Sequence, residues 1–118
     1  MVPRSAYLRY YDSMLQHRFI DSALRNPDKI AFVDRSLGRN VSYSQALLAS
    51  LILARRFKKL ERGRIGVMLP TSSAGGLAVI AALMADRTPV MLNYSTGAEK
   101  NCLYAQEQCD FRVIVTAK

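Results

Sequence analysis

The stretch from Arg64 to Lys118 constrains the fold most, because it sets three short apolar runs apart with two segments long enough to be helices. The runs are Arg64 to Leu69, Pro89 to Asn93 and Arg112 to Thr116. They hardly alternate between apolar and polar residues, which is the pattern of strands covered on both faces. Strands joined through helices pair in parallel, and right-handed crossovers then place the helices. The predicted architecture is α/β. It is a three-layer half-domain whose parallel βαβαβ sheet has strands near 64–69, 89–93 and 112–116, preceded by a helix, a small β-hairpin and a long helix.

Upstream of the sheet the punctuation is local. Ser13-Met-Leu-Gln16 is a capping-box sequence, so a helix is expected to open there. Leu15, Phe19, Ala23 and Leu24 recur at helical spacing until Asn26-Pro27-Asp28 stops the run. Ile30–Val33 and Asn40–Tyr43 read as two strands joined by Asp34 to Arg39, with Gly38 where a positive φ is wanted. Ser42-Tyr-Ser-Gln45 is a second capping box. Behind it, Ala46, Leu47, Ser50, Leu51, Ala54 and Phe57 or Lys58 trace one side of a long helix expected to close at Gly63. The first crossover helix, Ala74 to Ala85, is apolar all round and should be buried on several sides. The second should open at a third capping box, Thr96-Gly-Ala-Glu99, and carry Ala98, Cys102, Ala105 and Cys109 inward. Residues 1–12 read as a leader or linker, and residues 13–118 as the folded part.

Composition narrows the function classes. A chain of 118 residues makes one domain that removes roughly two thirds of its unfolded surface from water. The longest apolar window, Ala74 to Ala85, falls short of the roughly 18 residues a membrane span needs. The N-terminus lacks the apolar core of a signal peptide, so a cytoplasmic location is expected. A net charge of +8 permits an anionic partner. Its densest cluster, Arg55-Arg56-Phe57-Lys58-Lys59 with Arg62 and Arg64, reads first as a solvated helix end opposing the helix dipole, and second as a basic docking surface. Basic residues are not interleaved with aromatics along a strand, so no nucleic-acid partner is expected. Cys102 and Cys109 read as small apolar residues and His17 as a surface histidine, which leaves no metal set to argue for.

Two loops are the site candidates. Pro70-Thr-Ser-Ser-Ala-Gly-Gly76 leaves a strand and enters a helix, where backbone N–H groups and hydroxyls commonly hold phosphate. It matches neither the dinucleotide nor the P-loop pattern, so Thr71, Ser72 and Ser73 read first as helix caps and second as a ligand-facing wall. Asn93-Tyr-Ser-Thr-Gly97 follows the next strand and should share the same rim, which adds Asn93 and Tyr94 to the candidates. No acid, base or nucleophile has a partner at workable spacing, so no catalytic residue is assigned.

The order of Pro27-Asp-Lys-Ile-Ala-Phe-Val33, Val41-Ser-Tyr-Ser-Gln-Ala-Leu47, Ile65-Gly-Val-Met-Leu-Pro70 and Ala82 to Asn93 resembles the start of the AMP-forming acyl and aryl ligases, over residues 17–118. Val41 to Leu47 looks like the family's first core motif and Ala82 to Asn93 like its second. Pro89 to Gly97 followed by Asn101-Cys102 looks most like the acyl-acyl-carrier-protein synthetase domain found fused to 2-acylglycerophosphoethanolamine acyltransferase. The resemblance implies a parent enzyme that uses ATP and magnesium to activate a fatty acid as its adenylate. The acyl group then passes to the thiol of acyl carrier protein or coenzyme A, at the inner face of the membrane. The motifs that bind ATP and do the chemistry come later in the family, so no cofactor is expected in this chain. It is expected to be an inactive N-terminal portion of the adenylation domain, able to self-associate through its uncovered sheet. One departure bears on local geometry: the family usually has glycine after the helix of its second motif, where this chain has Ala85-Asp86-Arg87. A flavodoxin-like ligand-binding module and a basic interaction domain for an acidic carrier protein or membrane are the alternatives.

Overall fold

The computed structural model describes residues 14–117. Helix α1 (Leu15–Arg25) leads into a hairpin of β1 (Ile30–Asp34) and β2 (Arg39–Ser42), followed by the long helix α2 (Tyr43–Phe57). Then come β3 (Gly63–Met68), α3 (Ser73–Met84), β4 (Arg87–Met91), α4 (Ala98–Cys109) and β5 (Ile114–Thr116). The α/β reading holds. β1 and β2 form an antiparallel pair, and the second sheet has the order β4-β3-β5 with both pairings parallel.

Several local signals act as the sequence implies. Gly38 closes the hairpin turn at φ +64°. Ser42 caps α2 reciprocally with Gln45: the Gln45 amide donates to Ser42 Oγ at 3.2 Å, and the Ser42 amide donates to Gln45 Oε1 at 3.0 Å. The buried side of α2 is Ala46, Ser50, Ala54 and Phe57, whereas Leu51 points to solvent. α3 buries Ala78, Ile80, Ala81 and Ala82. Small side chains on both helices let α2 and α3 approach closely over one face of the sheet. The core there joins Ala54, Phe57, Ile65, Ala81, Ala82 and Ala85.

Other boundaries move. Ser13 and the leader, residues 1–12, lie outside the described residues; α1 opens with Met14 in the N-cap position and no side-chain cap. α2 ends at Phe57 rather than at Gly63, because Lys58 to Leu60 turn the chain and Gly63, at φ +114°, already starts β3. β4 runs two residues earlier than expected, since its ladder with β3 begins at Gly63 opposite Arg87. Pro89 is tolerated inside it because β4 is a margin of the sheet and needs no outward N–H. β5 is shorter than its apolar run, although the Val113 carbonyl still accepts from the Gly66 amide at 2.8 Å. The third capping box does not form: Gly97 occupies the N-cap of α4 at φ +62°, without a side-chain bond. Ala98, Cys102, Ala105 and Cys109 do lie on the less exposed side of α4, yet none is buried.

Ile65 and Val67 are buried with the α2 and α3 side, so Gly66 between them points to the opposite face. There the Phe111 ring, 2% exposed, occupies the space a Cβ would need, 2.9 Å from where that atom would sit. At the turn after α3, Asp86 keeps the left-handed geometry that glycine would supply, at φ +58°. Asp86→Gly is therefore expected to raise stability by up to about 1 kcal/mol and Asp86→Ala to lower it by a similar amount, read by chemical denaturation.

Candidate functional site

Parallel pairing sends the ends of β3 and β4 to the same edge of the sheet, Val67 lying opposite Met91, so the two candidate loops leave from one rim. The first loop is drawn toward the hairpin. Ser72 is the N-cap of α3, with its Oγ accepting from the Gly75 amide at 3.4 Å and donating to the Pro70 carbonyl at 3.1 Å. Gly75 has no room for a side chain, since a Cβ would fall 2.9 Å from the Pro70 carbonyl oxygen. Ser73 is buried. Its hydroxyl donates to Asp34 Oδ2 at 2.5 Å, and its amide donates to the same oxygen at 3.1 Å. Thr71 is exposed beside them.

Asp34, at the end of β1, is only 5% exposed and is the residue that sequence reasoning missed. Its Oδ1 accepts from Ser36 Oγ at 2.6 Å and from the Leu37 amide at 3.2 Å, while Oδ2 holds Ser73. The local pattern Asp34-Arg-Ser36 signals a turn. Its partner Ser73 is 39 residues away, and no local signal announces that contact. The carboxylate thus takes the positive end of α3 that the loop would otherwise offer to a phosphate. An incoming anion would meet a like charge there.

The Ser36 hydroxyl, then the Ser73 hydroxyl and amide, hold the Asp34 carboxyl well below the usual carboxylate range, against the upward push of burial; the Leu37 amide adds to the lowering. The folded pKa is depressed, so the stabilisation is complete above the unfolded pKa, near 3.9, and is lost as pH falls through the folded value. Acid titration of the melting temperature should show this loss below about pH 4. Asp34→Asn should flatten that acid limb while lowering stability at neutral pH. An unchanged limb in the variant would refute the assignment.

The second loop satisfies itself. Asn93 Oδ1 accepts from the Ser95 amide at 3.0 Å and from Ser95 Oγ at 2.7 Å. Asn101 Nδ2 donates to the carbonyls of Thr96 at 2.8 Å and Asn93 at 3.4 Å. Tyr94 is 49% exposed. An open cleft of about 670 Å³ is lined by Phe32 to Ser36 and by Thr71, Ser72 and Ser73. Asn93 and Tyr94 lie outside it, so the structure joins the first loop to the hairpin rather than to the second loop. Among the described residues no group of three or more His, Cys, Asp or Glu could hold a metal ion, and no helix is long and apolar enough to cross a membrane. His17 is half-buried rather than a plain surface residue. At this loop the geometry does not fit a magnesium or phosphate site, because Asp34, the one buried carboxylate among the described residues, and the start of α3 are committed to each other.

At the other edge of the sheet, Arg87 is 8% exposed and forms a polar cluster of its own. Its guanidinium donates to the carbonyls of Glu61 at 3.1 Å, Ala85 at 2.6 Å, Leu60 at 2.9 Å and Lys58 at 3.3 Å. These carbonyls follow the C-termini of α2 and α3, so one cation closes both helices.

The fold is shared with adenylating enzymes of known structure. The chain superposes with a TM-score of 0.80 on the nonribosomal peptide synthetase FmoA3, at 19% identity over 89% of this chain and 11% of that one. For the unliganded O-succinylbenzoate coenzyme A synthetase MenE from Bacillus subtilis the TM-score is 0.73, at 17% identity over 85% of this chain and 22% of that one. For the inhibitor-bound N-terminal domain of FACL13 from Mycobacterium tuberculosis it is 0.77, at 15% identity over 86% and 26%. The chain thus spans about a quarter or less of the solved chains it matches. Residues 19–118 match the model of the AMP-binding enzymes, and the chain belongs to that family.

Proposed function

We propose that this chain forms the N-terminal supporting wall of the adenylation domain of an ATP-dependent, AMP-forming ligase, one that activates a fatty acid and transfers it to the thiol of acyl carrier protein or coenzyme A. The family match over residues 19–118 carries the ligase part of this reading. The fatty-acid and carrier-protein part is supported by Pro89 to Gly97 and Asn101-Cys102, the residues that resemble acyl-acyl-carrier-protein synthetases.

What the chain's own residues contribute is placement. Ser42 and Gln45 fix the start of α2, Arg87 ties the ends of α2 and α3, and Asp34 clamps the hairpin to the start of α3. In the whole enzyme ATP with magnesium would supply the adenylyl group that activates the carboxylate, with pyrophosphate as the leaving group, and residues other than those described would hold them. The 118-residue chain is expected to give no ATP–pyrophosphate exchange with any carboxylic acid; turnover by it would overturn the reading of a wall. A polypeptide extended through the coding sequence past Lys118 is expected to exchange with fatty acids in preference to amino acids or aryl acids. The reverse preference would sink the fatty-acid assignment. β4 and β5 are both sheet margins, so the chain alone should self-associate, and a clean monomer in sedimentation at high concentration would count against this.

A further inference from the structure

The solvent side of α2 is unusual for a surface helix. Opposite its buried side lie Leu48, Leu51 and Ile52, exposed by 62%, 49% and 53%. Spaced three and four apart, they form one stripe that runs on through Arg55 to Lys59, with Arg56 beside it. All three cations are exposed. Helix α2 contains no acidic residue, and the ion pairs Asp21–Arg25 and Glu61–Arg112 involve none of these groups. The apolar surface continues sideways from Ile52 into an open groove of about 420 Å³ that Leu53, Leu69, Leu77 and Val115 also line.

An aliphatic row that ends in cations without an ion pair among the described residues matches one kind of surface well. At an anionic bilayer, leucine side chains enter the acyl boundary while guanidinium and ammonium groups lie level with the phosphates. Nucleic acid would satisfy the cations and leave the aliphatic row idle, since Phe57, the aromatic residue among them, is 5% exposed and turned into the core, out of reach of a base. We infer that the exposed face of α2 docks the protein on an anionic lipid surface, with Leu48, Leu51 and Ile52 inserted and Arg55, Arg56 and Lys59 against the headgroups. This inference stands apart from the fatty-acid reading, since it rests only on the face of one helix.

The chain contains no tryptophan, so Leu48→Trp places a lone reporter on the stripe. Its emission is expected to shift to the blue with phosphatidylcholine vesicles carrying about a third phosphatidylglycerol, and not with phosphatidylcholine alone. Adding Arg55→Ser and Lys59→Ser should raise the lipid concentration for half-maximal shift roughly 25-fold, and added salt should weaken binding as well. Ile52→Ser should weaken binding with the melting curve unchanged, which separates lost docking from lost folding. No shift with anionic vesicles, or an equal shift with neutral ones, would overturn the inference. Blue emission without lipid would overturn it too, assigning the face to a second copy if it grows with concentration and to the protein's own packing if it does not. A saturable shift with polyglutamate but not with vesicles would assign it to an acidic protein instead.

Discussion

Arg87→Met is expected to lower the stability of the chain by about 3–5 kcal/mol, the largest loss of any single polar substitution among the described residues. Methionine fills much of the same space but leaves four carbonyls, those of Lys58, Leu60, Glu61 and Ala85, without their donor. Each buried carbonyl left unpaired costs about 1–3 kcal/mol, and the sum is reduced by water reaching the partly open ones. Arg87→Lys should recover only part of the loss, because one ammonium cannot reach four acceptors held around a planar fork. Guanidinium denaturation of the three proteins checks this ordering. A methionine variant as stable as the parent would mean that water satisfies those carbonyls equally well.

Phe111→Ala is the second large effect, an expected loss of about 3–5 kcal/mol. The ring is 2% exposed and covers β3 at Gly66, on the face opposite the α2 and α3 core, where α4 contributes no buried residue to fill a gap. The site is also tight. A Cβ added at Gly66 would stand 2.9 Å from one ring carbon of Phe111 and 3.2 Å from the Ile114 side chain. Gly66→Ala should therefore cost about 1–3 kcal/mol through overpacking. The two effects are coupled, because Phe111→Leu frees the space that the alanine methyl needs. In a double-mutant cycle the pair should be less harmful than the sum of its parts, by about 0.5 kcal/mol or more. Strict additivity would show that the ring does not rest on Gly66.

Both residues mark the limit of what the chain's order reveals. The runs around β3, β4 and β5 announce buried parallel strands because two-sided burial demands unbroken apolar residues, and that demand is written locally. The Ser42 capping box and Gly38 are local for the same reason: each satisfies a donor or a dihedral within four residues. Thr96 to Glu99 has the same letters as a capping box and fails, because Gly97 enters the left-handed region and takes the N-cap itself. The family resemblance adds the adenylating fold, which the superpositions match. The rim candidates were legible as loop positions, but the commitments of their polar atoms were not. Ser73 turns inward to Asp34, and Asn93 is occupied by Ser95.

Sequence by itself determined the elements, their order, the parallel sheet and the family, since period, capping and turn chemistry act over a few neighbouring residues. Only the tertiary structure decided that Asp34 closes the start of α3, that Arg87 closes the ends of two helices, and that Leu48, Leu51 and Ile52 stay in solvent. Those outcomes depend on which buried polar groups find partners across 26 to 39 residues of chain, and on which side of an apolar helix meets the core first. Hydrogen bonding over such separations is enforced by the cost of desolvating an unpaired group, a term that exists only once the surrounding core has closed.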